Sequence, residues 1–158
     1  MIKEAENDPE KQFIVGKSLI EGHIHFPINV QYGIRYLKKS MENKCVDSLV
    51  YYCRMLIKGR IIPKNLKKAQ KLIEAKKNEL NALYFLLNGK ILKEELKFNE
   101  AALMFKEGIL NKNAECMYEY ANLISKEYIP QPENTSYENY FVRAIENESY
   151  KILSNGNR

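Results

Sequence analysis

Two histidines one residue apart, His23 and His25, are the first residues of this chain whose type and spacing suggest metal chemistry. A metal site needs further ligands in one geometry. The surrounding stretch, EGHIHFPIN, adds Glu21 but no Cys or Asp, so both histidines read as ordinary loop residues. With His 2 in the whole chain, acid–base and nucleophile–base pairings have little material. GKILKE, which follows Asn88, lacks the pattern of a phosphate-binding loop. The three cysteines, Cys45, Cys53 and Cys116, are an odd and sparse set. They indicate no disulfide framework and point to a reducing, cytoplasmic setting. Cys53 and Cys116 fall at small or apolar helix positions, where buried packing is the default. The residues therefore predict no catalytic group, no metal and no cofactor, and the chain does not read as an enzyme.

Charge is the next source of chemistry. Residues 54–77 hold Lys or Arg at 54, 58, 60, 64, 67, 68, 71, 76 and 77 against the single acid Glu74. Lys64, Lys67, Lys68 and Lys71 fall on one helical face, which reads first as a solvated outer surface. RNA or an acidic partner is the alternative, but few aromatic residues interleave for base stacking. Residues 113–158 reverse the balance, with seven acids and four bases. The net charge of +5 is modest for a nucleic-acid module. Asn134-Thr135-Ser136 and Asn147-Glu148-Ser149 match the glycosylation pattern. The N-terminal MIKEAENDPEKQ has no apolar core of a signal peptide, so both matches read as chance. The longest clean apolar run, ALYFLL at 82–87, is too short for a membrane span.

The elements that carry these residues are written as a repeat. A composition of 45% hydrophobic and 28% charged residues argues for a packed domain rather than disorder. VDSLVYYCRMLIKG (46–59) lies over PEKQFIVGKSLIEG (9–22), ALYFLLNGKILKEE (82–95) and AECMYEYANLISKE (114–127). A small residue recurs at Gly16, Cys53, Gly89 and Ala121, spaced 37, 36 and 32 positions apart. An apolar residue follows three positions later, at Leu19, Leu56, Leu92 and Ile124. Second helices follow, with small–large pairs Gly33/Leu37, Ala69/Ile73 and Ala101/Phe105, and Tyr137/Phe141 in the fourth copy. Between the two helices Gly22 and Gly59 stop the first, Pro27 and Pro63 block its continuation, and Asn29 and Asn65 cap the second. Asp8-Pro9 starts the first copy, and Thr135 with Glu138 forms a capping box in the fourth. Such a unit cannot cover its own apolar faces, so stacked copies build one core.

This pattern of a small-residue helix, a Gly-containing loop and a second helix bearing a Lys-Ala pair resembles the Sel-one-like repeat (SLR) family, relatives of the tetratricopeptide repeats. The clearest copy carries Cys53, Gly59, Lys68-Ala69 and Leu72-Ile73. Copy three has Glu95 and copy four Glu127 where the loop glycine would stand. The resemblance implies an all-α, right-handed α/α superhelical solenoid of about four helix–loop–helix repeats. It covers residues 9–149 as a single repeat domain, with repeats at approximately 9–45, 46–81, 82–113 and 114–149. Residues 150–158 read as a C-terminal cap, packing Ile152 and Leu153, or as the start of a fifth repeat.

The resemblance further implies a non-enzymatic protein-interaction scaffold. By analogy with tetratricopeptide solenoids, a protein or peptide partner would lie in a concave groove lined by the first helices. The groove-facing positions are two before, one after and five after the small residue. They are Ile14, Lys17 and Glu21; Tyr51, Arg54 and Lys58; Leu87, Lys90 and Glu94; and Glu119, Asn122 and Lys126. Tyr51 and Arg54 are the expected anchors, since aromatic and Arg side chains dominate interfaces. The alternative for Tyr51 and Leu87 is that they complete the core between repeats.

Overall fold

Helix starts in this chain are set by side chains that satisfy orphan backbone N–H groups. In the computed structural model, which describes residues 7–23, 25–133, 136, 138–144 and 146–147, Asp8 Oδ1 accepts from the backbone N–H of Glu10 (3.0 Å) and Lys11 (3.1 Å), with Pro9 in the first turn. This begins α1 (Pro9–Glu21). Asn29 accepts from Tyr32 N at 3.0 Å and begins α2 (Val30–Glu42). Asn65 repeats the bond to Lys68 N at 2.9 Å and begins α4 (Leu66–Ala75), after α3 (Val46–Lys58). A single turn, α5 (Lys77–Leu80), precedes α6 (Ala82–Glu94), α7 (Phe98–Leu110) and α8 (Ala114–Ser125). Asn113 caps α8 through Cys116 N at 2.9 Å, a cap that the repeat pattern did not predict. The backbone is helical again over 138–144. Among the described residues the only β pairing is an isolated bridge between His23 and Phe26. Thr135, Tyr137 and residues 150–158 lie outside the described residues, and with them the expected capping box and terminal cap.

The chain divides into two compact units between Glu79 and Leu80. In the first, α1 packs on α2, α2 on α3 and α3 on α4. The start of α1 meets the end of α2, because Ser40 Oγ donates to the Pro9 carbonyl at 2.5 Å. At the other end Asn29 N donates to the Leu19 carbonyl at 2.8 Å, so α1 and α2 run antiparallel. Asn65 N donates to the Leu56 carbonyl at 2.9 Å in the same way, so the turn of the first repeat is rebuilt in the second. A chain of buried hydroxyls, Ser48 Oγ to Ser40 Oγ (2.6 Å) and on to Pro9, joins the start of α3 to this pair. In the second unit α6 packs on α7 and on α8, and α7 on α8. Its core gathers Leu86, Ala101, Phe105, Cys116, Tyr120 and Leu123. Tyr140, in the helical stretch after α8, sets its ring edge-on to Tyr120 at 5.1 Å.

The recurring small residues are where these helices approach most closely. A Cβ on Gly16 would stand 3.0 Å from the Gly33 carbonyl, and one on Gly33 would stand 2.7 Å from the Gly16 carbonyl. Gly89 faces the ring of Phe105, the large residue of the small–large pair in α7. All three expected pairs, Gly33/Leu37, Ala69/Ile73 and Ala101/Phe105, are buried. Phe141, from the fourth pair, is half-buried and meets Tyr118 edge-on at 5.4 Å.

Loop geometry departs between copies in an instructive way. Gly59 has φ +68° and ψ +23°, the left-handed stop that only Gly adopts without strain. Gly22 has φ +78° but ψ +116°, so it turns the chain without the left-handed helical cap expected of it. Where glycine is missing the positive φ remains: Glu127 has φ +58° at the equivalent position, and in copy three the role passes one residue on to Leu96, at φ +62°.

Two outcomes follow from this packing. Ala is favoured over Gly inside a helix by about 1 kcal/mol. A Cβ on Gly89 would nevertheless lie 2.7 and 2.9 Å from the Phe105 Cδ1 and Cζ atoms. Gly89→Ala is therefore expected to lose about 1–3 kcal/mol of stability through overpacking, read as a lower denaturant midpoint. Glu127→Gly should do the reverse, gaining about 0.5–1 kcal/mol in the same experiment by relieving the left-handed strain.

Candidate partner-binding surface

In the first unit the expected residues of α1 and α3 come together. The Tyr51 hydroxyl donates to Glu21 Oε1 at 2.9 Å. Burial, that hydrogen bond and the Glu21 charge all push the Tyr51 pKa well above its usual value, so the hydroxyl stays a donor. Phe13 meets the Tyr51 ring edge-on at 6.0 Å, and Lys17 Nζ lies 5.9 Å from the ring centre. Glu21, Tyr51, Arg54 and Lys58 then line a cleft of about 280 Å³ together with Met55, Arg60 and Ile61. Ile14 is 52% exposed on the same helix as Lys17. Arg60 and Ile61 belong to the connector after Gly59 and were not among the expected site residues. Their signal lies in the turn itself, which leaves Ile61 46% exposed despite its apolar side chain.

The second unit treats the same register differently. Leu87 is fully buried, at 0% exposure, and completes the core rather than facing a partner. Lys90 and Glu119 are also buried, at 8% and 7%, because they bind each other. Lys90 Nζ sits 2.6 Å from Glu115 Oε1 and 3.1 Å from Glu119 Oε1, and Lys93 Nζ closes the cluster on Glu119 Oε2. These three expected contact residues are thus corrected: in this conformation their side chains are spent inside the protein. Lys93 and Glu115 were missed. Opposite charges at matched positions of successive first helices, Lys90 and Lys93 against Glu115 and Glu119, are the signal that could have found them. The other expected residues of this unit, Glu94, Asn122 and Lys126, line a second cleft of about 280 Å³ with Lys93, Leu96, Phe98, Leu123 and Tyr128. Phe98 and Tyr128 stack there at 4.2 Å and 8°.

The two clefts occupy the same place in the repeat. Each takes the residue five after the small position of one first helix, Glu21 or Glu94. Each adds the residues one, five and seven after the small position of the next: Arg54, Lys58 and Arg60, or Asn122, Lys126 and Tyr128.

The remaining chemistry is quiet. Burial pushes the Cys53 and Cys116 thiols up to about 12, which removes thiolate reactivity near neutrality. His23 and His25 are exposed in the turn, and no three His, Cys, Asp or Glu side chains among the described residues cluster to hold a metal ion. No helix among the described residues is long and apolar enough to cross a membrane.

The ion cluster has a pH signature. Burial alone would raise the Glu119 pKa, but the hydrogen bond and charge of Lys93 and those of Lys90 outweigh it and hold the carboxyl below its usual range. A depressed pKa contributes stability that is present above the unfolded-state value and is lost as pH falls through the folded-state value. Glu119→Gln should cost about 1–3 kcal/mol at neutral pH by leaving two lysines short of a counter-charge. The gap between wild type and variant should narrow as pH falls below about 4.3, measured by denaturation at pH 7 and pH 3.

Neither the protein-family models nor the curated proteins give a match to this chain. Among solved structures, the crystal structure of a Sel1 repeat protein from Oxalobacter formigenes superposes with a TM-score of 0.69 at 15% sequence identity. The match covers 89% of this chain and 59% of that one, so this chain spans less than two thirds of its length. At that identity the likeness establishes the architecture: the chain has the all-α helical-repeat fold of a Sel1 repeat protein.

Proposed function

We propose that this chain is a non-enzymatic scaffold that takes a protein or peptide partner on the face carried by its first helices. The observation that carries the reading is the recurrence of one cleft at one register in both units. A repeat that reproduces a cleft is suited to a ligand that repeats its contacts. The fold likeness to a Sel1 repeat protein supports the same reading. Tyr51 and Arg54 supply the aromatic and guanidinium anchors typical of binding hot spots. Ile14, Lys17 and Lys58 extend that surface in the first unit, and Asn122 in the second. A second reading, phosphate binding by RNA, draws on the exposure of Lys64, Lys67, Lys68 and Lys71 on and just before α4. It would show a steep fall in affinity with log[salt].

The test is capture of a partner from native lysate, its identification by mass spectrometry, and titration of the purified pair. Tyr51→Ala combined with Arg54→Ala should weaken the partner at least tenfold, about 1.4 kcal/mol, while circular dichroism shows the fold retained. Tyr51→Phe, which loses only the hydrogen bond to Glu21, serves as the control for packing. Full binding by the folded double variant would overturn the reading.

A further inference from the structure

The cleft of the first unit has a chemistry of its own, and the inference from it rests on the proposal that first helices carry the binding face. Three cations, Arg54, Lys58 and Arg60, border it against the one carboxylate of Glu21. That carboxylate also accepts the Tyr51 hydroxyl at 2.9 Å, so one of its oxygens is engaged within the protein. Lys17, over the Tyr51 ring, adds a further positive charge beside the cleft. The apolar lining comes from Tyr51, the exposed Ile61 and the edge of the largely buried Met55. Lys58, Arg60 and Ile61 are exposed. The equivalent cleft of the second unit is balanced in charge, with Glu94 against Lys126, a Lys93 that already pairs with Glu119, and stacked aromatic rings at its edge. The excess of positive charge is therefore a property of this cleft and not of the register.

We infer that the first-unit cleft binds an acidic peptide segment of a protein partner, with one aliphatic side chain seated against Ile61 and Met55 and flanking carboxylates held by Arg54, Lys58 and Arg60. Arginine recognises carboxylates through its planar fork, while lysine acts as a point charge that tolerates a flexible chain. Complementary charge sets which partner docks and how fast, and the apolar contact adds residence. A uniform polyanion would use the cations but leave the exposed Ile61 without purpose. An aliphatic anchor between carboxylates uses both.

The probe is an N-acetylated decapeptide of Asp and Glu with a single central Leu. Two controls replace that Leu by Ser, or every acid by its amide. Binding to the full chain is followed by fluorescence anisotropy and by backbone amide shifts. The expected result is that the acidic Leu peptide moves the amides of Arg54, Lys58 and Ile61 and that both controls bind at least tenfold more weakly. Lys58→Glu with Arg60→Glu, and separately Ile61→Ser, should each reduce binding by a similar factor. All three positions are exposed, so the fold is expected to survive. Equal binding of the Ser control with no effect of Ile61→Ser would overturn the inference in favour of a plain polyanion surface. Binding of the amide control at the same amides, with the acidic peptide inert, would overturn the acidic class while leaving the first-helix face standing. An acidic peptide that shifts only amides remote from the first helices would overturn the inference, and the lysate experiment with the Tyr51/Arg54 variant then decides the broader reading separately.

Discussion

The close approach of two helix backbones at a residue with little or no side chain is the constraint on which the rest of this protein depends. Gly16 and Gly33 bring α1 and α2 within contact of each other's carbonyl groups. Gly89 packs against the ring of Phe105, and a Cβ on Gly108 would meet Cys116. Each glycine weakens its own helix by about 1 kcal/mol relative to Ala. The return is collective: when backbones approach, the larger residues next to them interdigitate, and dispersion contacts accumulate across the interface. Leu37, Ile73 and Phe105 are fully buried because the small residue beside each leaves room for its partner. The small position also sets the rotation of each first helix, and that rotation decides which residues reach the surface one, two and five places away.

Connectors translate this packing into surface chemistry. In the first unit the first helix of each repeat stops at a glycine, and Asn29 or Asn65 both caps the second helix and donates its backbone N–H to the first. The turn is thereby held at both ends, and residues such as Arg60 and Ile61 are placed beside α3 without belonging to it. Where glycine is absent, Glu127 and Leu96 accept the same positive φ. Helix packing outweighs the local preference of those residues, and the connector keeps its direction at the cost of strain.

Much of this was legible in the sequence because it follows from period and punctuation. The small–large pairs, the caps at Asp8, Asn29 and Asn65 and the grouping of Tyr51, Arg54 and Lys58 need only helical geometry and the register. What was not legible depends on distances between chains of atoms that no period encodes. Leu87, Lys90 and Glu119 occupy positions equivalent to Tyr51, Arg54 and again Tyr51, yet all three are buried. The register says which way a side chain leaves its helix. It does not say whether the neighbouring helix carries a counter-charge that draws the side chain inward. Gly22 is a similar case: the residue marks a turn, while its ψ of +116° is set by where Ile28 and Asn29 must lie.

The position one after the small residue shows how a single fold site supports different chemistry. In α3 it is Arg54, at a cleft; in α6 it is Lys90, inside an ion cluster; in α8 it is Asn122, at a cleft again. Burying Lys90 and Glu119 carries a desolvation cost, and an apolar pair of similar volume would stabilise the contact as well or better. The cluster supplies direction instead. Lys90 between Glu115 and Glu119, with Lys93 beyond, matches charges over successive turns of α6 and α8, so a slip of one turn would leave the buried Lys90 and Glu119 without their partners. In the first unit the corresponding helices, α1 and α3, meet through the Tyr51 side chain, which donates to Glu21, packs edge-on against Phe13 and lies under Lys17. Arg54 and Lys58 line the cleft beside it. The same register thus carries two kinds of contact: in the second unit Lys90 and Lys93 align the first helices through charge, and in the first unit an aromatic side chain joins them.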